Sequence, residues 1–573
     1  MRAAARLLHH SRCIVRPDLN SPNPALVTQR GAQRLPRLAL LLFCAAYVLP
    51  GMFSRDPWKS ADITAFGYML GIAQGHTSWF APTVGGLPAD SALLPYWIGA
   101  VFIRALGAWV DPALAARIPF ALLLVLVLAL VWYATYSFAR SESAQPLPLA
   151  FGGEAAPIDY ARAIADGALL ALIASLGLLQ LGHETTPELA QLAAVALFLY
   201  ALAAMPIHTR QARIALLLAL PALAASGAPS IAVLLGIVGA LLCRLSDEAA
   251  MRRALPWVVA STLAGALVAA ALGAWGWRLV RFDNLAQAWS LVRQLVWFTW
   301  PAWPLALWTL WRWRARLSSR HIVFPLGCVG VSLAACIAMG GSDRALMLGL
   351  PPLAVLAAFA LPTLQRSTAA AIDWFSVFFF SIAGLTIWVV YISIHTGVPA
   401  QPAANIARLA PGFTTRFSPL ALLFAAAGTL AWMWLVHWRT RRTRHPLWKS
   451  MVLPASGVSL CWLLVMTLLL PPLDQARSYR SLVDRIAHQV PRGQCVAAPA
   501  MPRAEVVALE YLGSYRVDAV TAAAATHCDF LLVVETRQQP VQVGSGWQLL
   551  ARERRNTSDD EITAVYRRKS AAG

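Results

Sequence analysis

Apolar runs of about twenty residues recur between residues 37 and 470, and they constrain this chain more than any other feature. An α-helix rises 1.5 Å per residue, so about 20 apolar residues cross a hydrocarbon core roughly 30 Å thick. Runs of this kind fall at 37–53, 114–137, 164–182, 188–205, 212–226, 229–246, 254–279, 292–313, 321–340, 345–364, 372–395, 417–437 and 450–470. The expected fold is therefore mainly α, a polytopic membrane helix bundle of about 13 spans. In lipid such a bundle satisfies its backbone hydrogen bonds within each helix. Composition agrees. The chain is 58% hydrophobic and 13% charged, where soluble proteins carry about 25% charged residues.

Charge then orients the spans. The net charge of +20 does not point to nucleic acid, because the basic residues lie in short loops between apolar runs. That is the pattern of cytoplasmic loops. "HTRQAR", "CRLSDEAAMRR", "RWRARLSSRH" and "HWRTRRTRHPLWK" are separated from one another by even numbers of spans, so one orientation puts all four inside. The basic, Pro-broken segment 1–35 is expected to be a disordered cytoplasmic N-terminus. The first span lacks a small-x-small cleavage pattern and reads as an uncleaved signal anchor. Four segments then face outward: 54–112, "GHETTPE", "RFDNLAQAWSLVRQ" and the C-terminal tail.

The long first outer loop contains another apolar stretch, "ALLPYWIGAVFIRALGAWV". Arg104 in its middle would cost about 2.5–3.5 kcal/mol at the bilayer centre. Counting it as a span would also invert every later loop. Segments 61–75 and 92–108 are expected instead to be juxtamembrane helices in the outer interface. Residues 36–470 thus form the membrane domain. Residues 471–573 change character and predict a small periplasmic α/β domain. "RSLVDRIAHQV" has helical periodicity, and "QCVAAP", "CDFLLVVE", "WQLLARER" and "ITAVYRR" read as strands. Cys495 and Cys528 lie in this domain, where a disulfide and two buried thiols are both open. No Cys/His cluster has metal-ligand spacing.

Two acidic groups face outward at the membrane boundary. Asp56 and Asp62 follow the first span, and Glu184 and Glu188 sit in "GHETTPELAQLA". The same face carries Arg55, Lys59, Arg104, Arg281, Arg293 and Arg344. Solvated loop acids and snorkelling basic anchors are the plainer account of each residue taken singly. As a set, the cations suit a phosphate held at the membrane surface.

These residues occur in an order that resembles the C-type membrane glycosyltransferase superfamily. The branch is that of lipid A aminoarabinose transferases and protein O-mannosyltransferases. The motifs are "RDPWKSAD" after the first span, "SALLPYW" (Ser91 to Trp97) opening the second juxtamembrane helix, and "ARIPFALL" from Ala116. "PELAQLAAVALFLYAL" carries Glu188, and "LGLPPLAVLA" follows Arg344. The order covers nearly the whole chain, although each motif is degenerate. Pro57 stands where the family has a second acid, and Ser91 where it has a lysine. Lys59 falls where the family often has arginine.

The resemblance implies an inverting transfer of a sugar from a polyprenyl-phosphate donor, undecaprenyl in bacteria, to a lipid, glycan or protein acceptor. Lipid A modification is one such case. It implies a multi-pass protein of the bacterial inner membrane, with the reaction on the periplasmic side. Asp56 is then the general base, and Glu188 orients the acceptor or pairs with a cation. Lys59 and Arg344, with Arg104 and Arg281 behind them, meet the donor phosphate; Asp62 and Glu184 are secondary candidates. No cofactor is expected, although a divalent metal between Asp56 and Glu188 stays open. Two other readings remain, a lipid or sugar transporter or flippase and a non-catalytic relative that retains the scaffold. A transporter would place polar groups near the bilayer midplane, and these spans are poor in acids.

Overall fold

The computed structural model describes residues 24–569 apart from 91, 149–151, 277–284, 441–445, 537–540, 542 and 555–560. The chain opens with α1 (Arg37–Val48), α2 (Ser60–Gln74), a hairpin of β1 (Thr83–Val84) and β2 (Leu87–Pro88), and α3 (Leu93–Leu106). The bundle continues with α4 (Pro112–Ala139), α5 (Pro157–Ala174), α6 (Leu176–Leu181), α7 (Pro187–Ala204), α8 (Thr209–Ala225), α9 (Pro229–Leu245) and α10 (Ala249–Ala271). Then come α11 (Leu285–Phe298), α12 (Ala302–Arg312), α13 (Arg320–Ala338), α14 (Asp343–Met347), α15 (Leu350–Ala358), α16 (Arg366–Thr396), α17 (Ala400–Leu409), α18 (Pro419–Thr440) and α19 (Lys449–Leu468). The C-terminal part holds α20 (Leu470–Arg477), α21 (Arg480–Ala487), β3 (Cys495–Ala497), α22 (Arg503–Gly513), β4 (Arg516–Asp518), β5 (Phe530–Thr536), β6 (Trp547–Arg554) and β7 (Glu561–Arg568).

Among the described residues, eight helical segments are long and apolar enough to cross a membrane: α4, α7, α10, α13, α14 with α15, α16, α18 and α19. The other expected spans fall on shorter or broken helices. Run 37–53 is the 12-residue α1, run 164–182 breaks at Ser175 between α5 and α6, and run 292–313 is split between α11 and α12. The core lies where α4, α5, α7, α15 and α19 meet. α15 is buried along its whole length, whereas α16 and α18 turn most of their surface outward, as helices facing lipid do.

Two expectations need correction. Residues 24–35 are not part of a disordered tail. Ala25 and Ala32 are fully buried, Thr28 bridges Glu154, and the Leu35 amide donates to Asp166 at 2.8 Å. Trp448 also donates its indole N–H to the Gln33 carbonyl. Alternating small apolar residues give this segment something to bury, which the basic composition obscures. The second concerns α2, which is enclosed by protein and presents no open apolar face. It packs between α3 and α22 with nine of its fifteen residues buried. Its sequence, "SADITAFGYMLGIAQ", is apolar on nearly every side, and such a helix is stable only when enclosed.

The C-terminal sheet has the order β4-β3-β5-β7-β6. β3 runs parallel to β4 and β5, pairing Val496 with Val517 and with Phe530. β5 and β6 both run antiparallel to β7, with Val533 opposite Ala564 and Arg552 opposite the same residue. A disulfide joins Cys495 to Cys528. The strand stretches expected from sequence all lie in this sheet; α22 and β4, which complete a β-α-β unit, do not stand out by periodicity.

This domain is docked on the first loop through close approaches. A methyl group on Gly67 of α2 would lie 2.3 Å from Val507 Cγ2 of α22, so only glycine fits there. The hairpin turn uses Gly85 and Gly86 at φ +55° and +82°, which suits a two-residue turn with left-handed backbone. Gly85 accepts a hydrogen bond from the Ala519 amide at 2.9 Å and donates its own amide to Glu510 at 3.1 Å.

Candidate active site

The turn after α1 is fixed by the bundle beneath it. Gly51 adopts φ +83°, and the Trp462 indole donates to the Pro50 carbonyl at 2.9 Å. Arg117 of the "ARIPFALL" motif, buried in α4, donates to the Met52 carbonyl at 3.3 Å. The chain then emerges at Arg55 and Asp56, where the membrane bundle meets the C-terminal domain.

From here the charges separate into two groups. The first gathers at the N-terminal ends of α2, α7 and α14, where helix dipoles favour carboxylates. Asp62 in the first turn of α2 accepts from the Thr185 amide at 2.7 Å and the Thr185 hydroxyl at 2.6 Å. Its other oxygen lies 3.7 Å from Arg55, which also donates to the His183 carbonyl at 2.9 Å. Arg344, opening α14, reaches both glutamates, Glu184 at 2.7 Å and Glu188 at 2.9 Å. Lys59 lies 3.3 Å from Glu184 Oε1. His183 anchors the loop, its ring nitrogens 2.7 and 2.8 Å from the Leu179 and Tyr47 carbonyl oxygens.

Three cations thus face three carboxylates. Arg55, Asp62 and Glu184 are almost fully buried, while Lys59 is 39% exposed and Glu188 forms part of the open edge. Burial pushes the Glu184 carboxyl above its ordinary range, against the pull of Arg344. Burial pushes the imidazole of His183 down to about 4, against the opposing pull of the Tyr47 and Leu179 carbonyls.

The second group surrounds Asp56. Its Oδ1 accepts from Arg480 Nη2 at 2.8 Å. Its Oδ2 accepts from Arg480 Nε at 3.1 Å and from the Ser478 hydroxyl at 2.6 Å. The Asp56 amide and the Trp58 indole both donate to Asp474 Oδ1, at 2.9 and 2.5 Å. Burial, then the charge of Asp56, raises the Asp474 carboxyl above its ordinary range. Residues 474–480 therefore wrap the 56–58 turn.

Of the residues expected from sequence, Lys59, Asp62, Glu184, Glu188 and Arg344 come together. Asp56 sits beside them on the same turn but is held by a different element. Lys59 and Arg344 are not free cations: each already faces glutamate. Arg104 is exposed on α3 and makes no ion pair among the described residues, so it stands apart from the cluster. Arg281 and Ser91 lie outside the described residues. Among the described residues, no three His, Cys, Asp or Glu side chains are arranged to hold a metal ion.

Sequence reading missed Arg480, Ser478, Asp474 and Arg117. The first three lie in the run "LDQARSYR", directly after the last span, where nothing local marks them as site residues.

No protein-family model and no curated protein sequence matches the chain. Its likeness to known proteins lies in the three-dimensional structure. ArnT from Cupriavidus metallidurans bound to undecaprenyl phosphate superposes with a TM-score of 0.56 at 14% identity, covering 92% of this chain and 96% of that one. The apo form of the same protein gives a TM-score of 0.55 at 13% identity over the same coverage. Over most of its length the chain therefore has the same polytopic fold as ArnT.

Proposed function

We propose that this protein is an inverting membrane glycosyltransferase. It moves a sugar from a polyprenyl-phosphate donor to a lipid, glycan or protein acceptor at the periplasmic face of the bacterial inner membrane. The observation that carries this reading is the position of Asp56. It leaves the first membrane helix at the seam between the bundle and the soluble domain, beside a cluster of Lys59, Arg344 and their glutamates. A lipid phosphate anchored in the bilayer would reach that depth. The ArnT neighbour was solved with undecaprenyl phosphate bound, which supports this choice of donor class.

In the reaction, the acceptor oxygen attacks the anomeric carbon from the side opposite the phosphate. The bond from that carbon to the phosphate oxygen breaks, and its electron pair stays on the leaving phosphate. The acceptor hydroxyl proton passes to an Asp56 oxygen. General-base help of this kind contributes roughly 10²–10⁴-fold. Lys59, at the open edge of the cluster, is placed to meet the charge that grows on the leaving phosphate. Arg344 orders Glu184 and Glu188 around it. Asp56 and Glu188 each hold their own guanidinium, which supports cationic side chains, not a metal shared by the two acids, as the phosphate partners.

Collection of the charges at one end of the bundle favours transfer over transport. The test is Asp56→Asn in the full-length protein, assayed with labelled undecaprenyl-phosphate sugars. Transfer should fall by about 10²–10⁴-fold with little change in melting temperature. Near-normal transfer by that variant would remove Asp56 as the base.

A further inference from the structure

As the structure stands, Asp56 is restrained as a base: three donors from Arg480 and Ser478 take three of the roughly four acceptor positions of its carboxylate and stabilise its charge. Arg480 lies on α21, at the entry to the C-terminal domain, and is a neighbour of Asp56 only through the fold. Its side chain is 56% exposed, whereas that of Asp56 is 14% exposed. The arginine can therefore leave the pair into water without uncovering a buried surface. The carboxylate cannot follow it, because its backbone amide is tied to Asp474. An arginine fork that fits a carboxylate fits a phosphate equally well, with two parallel N–H···O bonds. Arg55, Lys59 and Arg344 each already face a largely buried carboxylate, Arg117 is buried on the Met52 carbonyl, and Arg477 lies over the Trp58 ring. Arg480 is more exposed than Arg55, Lys59 or Arg344.

We propose that Arg480 is a substrate-responsive latch. It closes on Asp56 when the site holds no donor, and it transfers its fork to the phosphate of the incoming lipid donor, releasing the carboxylate. The C-terminal domain thereby supplies a phosphate-binding cation, and a lone hydroxyl meets only a closed Asp56. This rests on the reading of Asp56 as the base. It adds that donor binding, not acceptor binding, exposes that base.

The latch makes Asp56 and the lipid phosphate competitors for one guanidinium, and that competition can be measured without sugar transfer. The experiment titrates full-length protein in nanodiscs with undecaprenyl phosphate, comparing wild type, Asp56→Asn, Arg480→Ala and the double variant. Removing Arg480 should weaken binding by about 10-fold, the low end for a charge-assisted pair. Asp56→Asn should strengthen binding several-fold, because Arg480 no longer has to be taken from a carboxylate. In the Arg480→Ala background most of that gain should vanish, the mark of two coupled residues. Arg480→Lys, which keeps the charge and loses the fork, should fall between wild type and alanine. Unchanged affinity in Arg480→Ala, or an equal gain from Asp56→Asn with and without Arg480, would overturn the latch and leave the base assignment standing. Failure of the wild type to bind undecaprenyl phosphate would overturn both.

Discussion

Two ion-pair groups stand side by side at one end of this molecule, and they differ in what holds them. In the group around Glu184, each charge belongs to the membrane bundle or the first loop, and most are shielded from water. In the group around Asp56, one partner comes from the C-terminal domain and is more than half exposed. Buried pairs are strongly coupled to the fold because removing one partner leaves a bare charge in a poor solvent. Exposed pairs are exchangeable because water replaces either partner at little cost. The first group therefore acts as a frame, and the second as a part that moves. The candidate base lies in the second.

The sharpest way to break this comparison is to remove one charge from each group. Glu184→Ala leaves Arg344 with Glu188 alone and Lys59 with water, and should destabilise the protein by about 1–3 kcal/mol. Arg480→Ala should cost less than about 1 kcal/mol, whatever it does to ligand binding. Thermal unfolding in the same detergent reads both. Equal losses would mean that the Arg480 pair is as structural as the Glu184 cluster, and a latch could not be built from it.

A second substitution tests whether the C-terminal domain must sit where it does for the second group to form. Gly67→Ala places a methyl group against Val507, and overpacking of this sort costs typically about 1–3 kcal/mol. The change lies more than one turn beyond Asp62 on α2 and touches no charged side chain in its closest contacts. It should loosen the α2–α22 contact and weaken the Asp56–Arg480 pair while sparing the Arg344–Glu184 pair, which lies wholly within the bundle and its loops. Hydrogen exchange at residues 474–480, compared with exchange at 182–188, would show the difference. Parallel loss of protection in both segments would show that the two groups form one unit.

The same contrast explains what was legible in the sequence. The bundle was readable because apolar length is a local property: each expected span falls on a helix or a pair of helices. The Glu184 cluster was partly readable, since its acids and cations stand at helix starts that face one side. The sequence offered Glu188 a cation partner without naming it, because sequence does not show which carboxylate meets which cation. The Asp56–Arg480 pair was not readable at all. Its partners are 424 residues apart, and nothing in "RSYR" distinguishes a site residue from a surface arginine. α2 was misread for a different reason. An apolar helix after a membrane span looks interfacial unless one knows that a second domain will cover it.

The finest probe of that covering is the pH dependence of the contact between Glu510 and the hairpin. Glu510 of α22 accepts from the Gly85 amide. Burial pushes its carboxyl up from 4.5 to about 7, against the opposing pull of that amide. The folded state therefore holds this proton over a range where the unfolded chain has released it. Stability from this group is intact below about pH 4.5 and declines as pH rises toward about 7, after which it is level. Glu510→Gln cannot ionise and should remove the decline. The difference in melting temperature between variant and wild type should thus be small at pH 4.5 and grow in favour of glutamine up to about pH 7. The growth should stay within a few degrees, because the carboxyl is only partly buried and water screens its charge. A constant difference across that window would mean that Glu510 carries no charge penalty at the seam. The Glu510 contact would then add no pH dependence to the docking of the C-terminal domain.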